Sequence, residues 1–348
     1  MGRIEFGAAA ASAGQVTGPR LSIVVPCYNE AGALPELHRR VSAAAAGAAG
    51  GDYELVLVND GSRDATWARI VELAARDPHV VGVSLSRNHG HQLALSAGLT
   101  LCRGARILII DADLQDPPEL LPDMMALMDQ GADVVYGQRI SRDGETWFKR
   151  ATAGLFYRLL ARLVEIPIPL DSGDFRLISR RALDVLNAMP EQHRFIRGMV
   201  SWIGMRQVPL LYHRQERFTG ETKYPFAKMM RLALDAITGF STRPLKIASY
   251  MGMMFGLLGM MGMAYTLYGW LADLALPGWT SVMSMVLILG SAQLFVLGVF
   301  GEYLGRLYVE SKRRPLFVID HVVGRNDALA VSDPAREPRP MPATRSGA

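Results

Sequence analysis

Two long stretches near the C-terminus carry no charged side chain, and they constrain this 348-residue chain more than any other feature. Ile247–Ala272 and Leu274–Gly301 are separated only by Asp273, with a turn-like Pro277-Gly278 near the start of the second stretch. About 20 predominantly apolar helical residues cross the hydrocarbon core of a bilayer. Each stretch is therefore long enough to cross once, and the loop between them is too short to hold a domain. The pattern predicts a transmembrane hairpin of Ile247–Leu271 and about Val282–Leu304. Trp270 and Trp279 fall near its far turn, where amphipathic rings favour the interface. Arg243 and Lys246 precede the first span, Arg306, Lys312, Arg313 and Arg314 follow the second, and the connecting loop has no Lys or Arg. The positive-inside rule then places both ends in the cytoplasm. Gly252/Gly256 and Gly301/Gly305 repeat a small-xxx-small spacing that suits helix packing in a membrane.

The remaining sequence has the pattern of a soluble unit. With 50% hydrophobic and 20% charged residues the chain is neither disordered nor fibrous, and the net charge of +4 selects no partner by itself. Cys27 and Cys102 are too few for a disulfide framework, a CxxC pair or a zinc ribbon, which makes a reducing compartment the default. Residues 1–20 read as a flexible leader without a signal-peptide pattern. From 21 to about 140, short β-branched runs alternate with helical segments. The runs are Leu21–Val25, Glu54–Val58, Val80–Leu85, Arg106–Ile110 and Asp133–Tyr136, and the helical segments are Leu34–Ala46, Ala65–Ala75, Gln92–Leu101 and Pro118–Gln130. This order predicts an α/β fold with a mostly parallel sheet and helices on both faces. Segments 146–164 and 225–242 mix basic with apolar residues at helical spacing, which suits either a membrane surface or packing on the sheet. From His321 onward no periodicity remains, and a disordered tail over 321–348 is expected.

Ligands of open α/β sheets bind beyond the carboxyl ends of the strands. Here those positions are polar: Pro26-Cys27-Tyr28-Asn29-Glu30, Asn59-Asp60-Gly61-Ser62, Ser86-Arg87-Asn88-His89-Gly90-His91 and Asp111-Ala112-Asp113-Leu114-Gln115-Asp116. None has the glycine spacing of a dinucleotide fold or a P-loop. Asp111 and Asp113 form a D-x-D at a strand end, where two carboxylates can address one hard divalent cation, Mg²⁺ or Mn²⁺, that shares its coordination with substrate phosphates. The competing explanation is a capped turn. With Pro117 and Pro118 behind it, that explanation accounts for Asp116 better than for Asp113.

These motifs, followed by Ser172-Gly173-Asp174-Phe175-Arg176-Leu177, Arg217-Phe218-Thr219-Gly220-Glu221-Thr222-Lys223-Tyr224 and Gly301-Glu302-Tyr303-Leu304-Gly305-Arg306, resemble family 2, GT-A fold glycosyltransferases of the polyprenyl-phosphate type. That group contains dolichol-phosphate mannose synthases and bacterial undecaprenyl-phosphate glucosyltransferases. The resemblance implies a GT-A catalytic domain over 21–224, a juxtamembrane amphipathic helix over 225–242, and a hairpin with its membrane-proximal segment over 243–320, in a bacterial-type inner membrane. It further implies that Pro26, Tyr28, Glu30 and Asp60 hold base and ribose, and that Asp111, Asp113 and Gln115 surround the metal on the donor diphosphate. Arg87 could add to that cradle. Arg139 and Arg176 are the candidates for the acceptor phosphate, because a guanidinium grips phosphate through two parallel hydrogen bonds. Arg217 and Lys223 flank a segment that could close on either phosphate group. Asp174 matches an acid considered as a base in relatives. A lipid monophosphate is already largely anionic at pH 7, so positioning is the expected role of Asp174, and His89 and His91 are left outside the catalytic set.

The expected reaction is therefore a single inverting transfer of a hexose, glucose from UDP-glucose before mannose from GDP-mannose, onto a polyprenyl phosphate for cell-envelope glycosylation. A homotetramer is implied by resemblance alone. A polysaccharide synthase would carry Q-x-x-R-W, whereas Ser201 precedes Trp202 here, and it would need more than two spans. A sugar-nucleotide sensor has no need of Asp111, Asp113 and Gln115. Nucleic-acid binding is disfavoured because the basic residues flank spans and strand ends instead of alternating with exposed aromatics.

Overall fold

The computed structural model describes residues 18–140, 172–213, 241–271 and 278–324. Segments 146–164 and 225–240, residues 1–17 of the leader and 325–348 of the tail lie outside the described residues.

Eight strands form one sheet: β1 (Leu21–Cys27), β2 (Tyr53–Asn59), β3 (Val80–Leu85), β4 (Arg106–Ile109), β5 (Val134–Arg139), β6 (Ser172–Ser179), β7 (Gln207–Tyr212) and β8 (Ile319–Val323). Their order is β7-β5-β6-β4-β1-β2-β3-β8. Six run parallel, while β6 lies antiparallel between β4 and β5, and β8 pairs antiparallel with β3. The five expected strands are all present. Three more were not expected, and two of these are the antiparallel ones.

Alternation along the central strands divides the core in two. Ile23, Val25, Leu55 and Leu57 face one layer, built with α1 (Leu34–Ala49), α2 (Thr66–Arg76) and α4 (Leu121–Asp129). Val24, Val56 and Val58 face the other, built with α3 (His91–Leu101), α5 (Arg180–Ala188) and α6 (Ile196–Ile203). Both faces are covered, so the strands are continuous apolar runs with no solvent-facing side. A single 3₁₀ turn, Pro118–Leu120, leads into α4.

The hairpin consists of α7 (Arg243–Leu271) and α8 (Trp279–Ser311). Both helices run past the apolar spans into the basic flanks. Met253, Met261, Leu294, Leu297 and Leu304 are each more than three-fifths exposed. Unlike core helices, these present their apolar side chains outward, and both are long and apolar enough to cross a membrane.

Three boundaries need correction. Residues 1–20 are not all leader, because Pro19 O accepts from Ala105 N at 2.9 Å and Arg20 O from Arg106 N at 3.2 Å, extending the edge of β1. The tail expected to be disordered from His321 is ordered at its start. Residues 321–323 complete β8, whose Val322 and Val323 pair with Val83 and Gly82. Ser241 and Thr242, assigned to an amphipathic helix, instead cap α7: Ser241 Oγ accepts from Arg243 N, and Thr242 O accepts from Leu245 N and Lys246 N.

Candidate active site

Because β1 to β5 and β7 are parallel, their carboxyl ends lie along one edge, and the antiparallel β6 brings its first residues, Ser172 to Asp174, to the same edge. At the β1 and β2 ends, Asn29 holds a left-handed backbone (φ 56°), which asparagine tolerates. Its N–H donates to Ser62 Oγ at 3.0 Å, its Oδ1 accepts from Arg63 N at 2.9 Å, and Glu30 N donates to Thr66 Oγ1 at 2.9 Å. This lock leaves Tyr28 exposed beside the half-buried Glu30. Pro26 is buried within β1, in register with Val58 of β2.

Asp60 is 2% exposed, and its two oxygens accept from His89 N at 2.7 Å and Gly90 N at 2.9 Å. Burial raises its pKa against these hydrogen bonds. Asp60 thus holds the β3–α3 loop, on which Arg87 stands exposed.

The D-x-D follows β4. Leu114 has a left-handed φ of 57° and is 1% exposed. A bulky residue is seldom found in that conformation. Here it sends the leucine into the core while Asp113 and Gln115 stay together, with Asp113 Oδ1 accepting from Gln115 N at 3.2 Å. Asp111 Oδ1 is buried without a hydrogen bond, 3.5 Å from His91 Nε2. Burial pushes its carboxyl up to about 6, and the negative charges of Asp174, Asp116 and Asp113 add to this against the opposing pull of His91. Crowded oxygen donors around an under-partnered carboxylate fit a hard divalent cation. Among the described residues no three His, Cys, Asp or Glu side chains form a closed metal cage. Asp111, Asp113 and the Gln115 amide would instead make an open site.

Asp174, 5% exposed, is surrounded by donors. Oδ2 faces His91 Nε2 at 3.1 Å and Gln92 Nε2 at 3.0 Å, and Oδ1 accepts from Arg197 Nε at 3.1 Å. Burial favours the neutral acid, but the Arg197 charge and the His91 hydrogen bond outweigh it and hold the carboxyl well below its usual range. For His91 burial opposes the charged ring, yet Asp174 and Asp111 bring its pKa up to about 9. Arg176, the other residue expected at the acceptor phosphate, is 3% exposed and donates to Gly173 O at 3.0 Å, and its Nε is buried without a hydrogen bond; burial lowers its pKa against the opposing charge of Asp174. Arg139 remains partly exposed beside Asp116 and Tyr212. Arg217 and Lys223 lie outside the described residues.

His91, Gln92, Arg197 and Tyr212 were not among the expected site residues. Arg197 lies in the Phe195-Ile196-Arg197-Gly198 run, and His91 is the first residue of α3, but no spacing links either to Asp174.

The glycosyl transferase family 2 profile matches residues 22–186, and the GtrB C-terminal hairpin profile matches residues 243–307. The chain is 44% identical over 304 residues to the uncharacterized glycosyltransferase YkcC of Bacillus subtilis (strain 168), covering 87% of this chain and 94% of that one. It is 38% identical over 304 residues to the prophage bactoprenol glucosyl transferase homolog of Escherichia coli (strain K12), covering 87% and 99%. It is also 38% identical over 301 residues to the bactoprenol glucosyl transferase of Shigella phage SfV, covering 86% and 98%.

Proposed function

The chain belongs to glycosyl transferase family 2, and from that premise we propose that it transfers glucose from UDP-glucose to a polyprenyl phosphate in one inverting displacement. The observation that carries this reading is similarity to a bactoprenol glucosyl transferase through both the sheet and the apolar hairpin, over 86% of the chain.

Pro26, Tyr28, Glu30 and Asp60 hold base and ribose, and Arg87 adds to that cradle. Asp111, Asp113 and Gln115 would hold Mg²⁺ or Mn²⁺, which offsets charge on the departing nucleoside diphosphate. Arg139 meets the acceptor phosphate, and Arg217 and Lys223 supply positive charge to one of the two phosphate groups. The acceptor oxygen is already anionic near neutral pH, so alignment replaces a general base. Asp174 serves that alignment by holding His91 and Arg197. The basic flanks Arg243, Lys246, Arg306 and Lys312 to Arg314 keep both ends of the hairpin on the cytoplasmic side.

The test offers purified full-length protein UDP- and GDP-sugars with undecaprenyl or decaprenyl phosphate, with Mg²⁺ or Mn²⁺. Lipid-linked glucose from UDP-glucose is the expected product. No lipid-linked sugar from any donor would refute the class, and product only from GDP-mannose would replace the donor.

A further inference from the structure

Arg139 is held by a device that no sequence motif marks. Arg139 and Tyr212 are register partners on the parallel pair β5 and β7, and Ile140 N donates to Tyr212 O at 3.0 Å, so the pairing continues past Arg139. The Tyr212 ring lies against Gly137, where a Cβ would stand 2.8 Å from the ring, and meets Phe175 edge-on with centroids 5.7 Å apart. That position carries the hydroxyl over β5 to Asp116, which is 1% exposed. The hydroxyl donates to Asp116 Oδ1 and accepts from Arg139 Nε at 3.2 Å. Arg139 Nη2 is 3.5 Å from the same Asp116 oxygen, and it passes so close to Gly173 that a Cβ there would be 2.7 Å away. Two glycines on two strands thus make room for the ring and for the guanidinium, and both polar ends meet at one buried carboxylate.

We propose that Tyr212 is a positioning residue for the acceptor phosphate: its hydroxyl, fixed by Asp116, sets the plane of the Arg139 guanidinium. This rests on the polyprenyl-phosphate reading above. A guanidinium binds phosphate through two parallel N–H groups only when its plane is set. Asp116 alone attracts Arg139 but does not orient it. With the hydroxyl proton directed to Asp116, the phenol oxygen presents a lone pair to Nε. Burial and the Asp116 charge both suppress ionisation of the phenol, which keeps the proton in place.

The test is steady-state kinetics of the full-length Tyr212→Phe protein with UDP-glucose and undecaprenyl phosphate. Loss of one oriented hydrogen bond raises the acceptor KM by about tenfold, while the donor KM and the kcat at saturating acceptor stay within about twofold of wild type. Arg139→Ala gives a larger acceptor effect, and Tyr212→Phe adds little to it, because the hydroxyl acts only through Arg139. If the single variant fails to fold, 3-fluorotyrosine at position 212, which keeps the ring and Asp116 but weakens the phenol oxygen as an acceptor for Arg139 Nε, carries the same test in the same direction. An unchanged acceptor KM, equal rises in both KM values, or additive effects with Arg139→Ala would overturn the inference. Wild-type protein that transfers no sugar to any polyprenyl phosphate refutes the functional reading and this inference with it. Wild-type turnover with an unmoved acceptor KM in the variants refutes this inference alone.

Discussion

His91 Nε2 lies 3.1 Å from Asp174 Oδ2 and 3.5 Å from Asp111 Oδ1, so one imidazole joins the start of β6 to the end of β4. Gln92 continues the connection: its side-chain amide donates to Asp174, and its Oε1 accepts from Ile196 N at the start of α6 at 2.9 Å. Arg197, one residue further along α6, closes the circuit onto Asp174 Oδ1. The proposed metal-binding and acceptor-facing sides therefore share a polar seam, and Asp174 is the anion at its centre.

The protonated His91 gives stability a defined pH dependence. Its folded pKa of about 9 exceeds the ordinary value of 6.5, so its contribution is full below pH 6.5 and lost as pH rises through about 9. Asp111, raised to about 6, completes its ionisation as pH rises through that value, which leaves the interval from 7 to 9 to His91. Thermal unfolding of EDTA-treated protein should give a melting temperature that falls across pH 7–9 in wild type and stays flatter in His91→Gln. Parallel curves would remove His91 from the linkage.

Asp174 is expected to act as an anchor and not as a base. Asp174→Asn removes the anion facing Arg197, His91 and the buried Arg176, and loss of one partner in a buried charge network costs about 3 kcal/mol. At roughly 2–4 °C per kcal/mol for a unit of this size, the melting temperature should drop by about 6–12 °C. A base would instead give an intact melting temperature with turnover abolished, so a calorimetric scan beside a transfer assay separates the two roles.

How far the site was legible follows from the chemistry of its parts. The strands β1 to β4 end where apolar runs meet Tyr28, Asp60, Ser86 and Asp111, so the catalytic edge was visible as a row of polar breaks. β6 was hidden because two charged residues, Asp174 and Arg176, interrupt its pattern, and both are nonetheless buried. Asp174 and its partners His91 and Gln92 are more than 80 residues apart in sequence. β8 resembled a polar tail because Asp320 and His321 are exposed; only the open edge of β3 makes it a strand.

Metal dependence should separate from membrane insertion. Asp113 lies at 8% exposure in the strand-end loop, far in sequence from the hairpin. Asp113→Ala should lower transfer by roughly 10²–10³-fold, the range for removing a preorganised electrostatic group, with the same yield in washed membranes. Chelation of wild-type protein should abolish transfer, and added Mg²⁺ or Mn²⁺ should restore it. Turnover of Asp113→Ala at the wild-type rate would remove this residue from the metal site.

The last strand tests how the anchor is tied to the catalytic sheet. After α8 the chain returns to the sheet: Val318 O accepts from Ser86 N at 2.9 Å, and Ile319 pairs with Leu85. Phe317, Ile319 and Val322 pack on the second core layer, and Gln192 N donates to Glu310 Oε1 at 2.8 Å near the end of α8. A chain ending at Arg314 loses those three apolar contacts and bares the β3 edge, whose unpaired backbone groups favour association with other strands. At up to about 1 kcal/mol for each partly buried side chain, the loss is about 2–3 kcal/mol, or roughly 4–12 °C in melting temperature. A chain ending at Gly324 keeps β8 and should melt like the full-length protein. The β3 edge also leads directly into the loop held by Asp60 and on to His91, so the shorter truncation should lose transfer activity more steeply than stability. Equal melting temperatures for the two truncations would show that β8 does not hold the edge, and the tie between hairpin and sheet would then rest on Glu310 and Gln192.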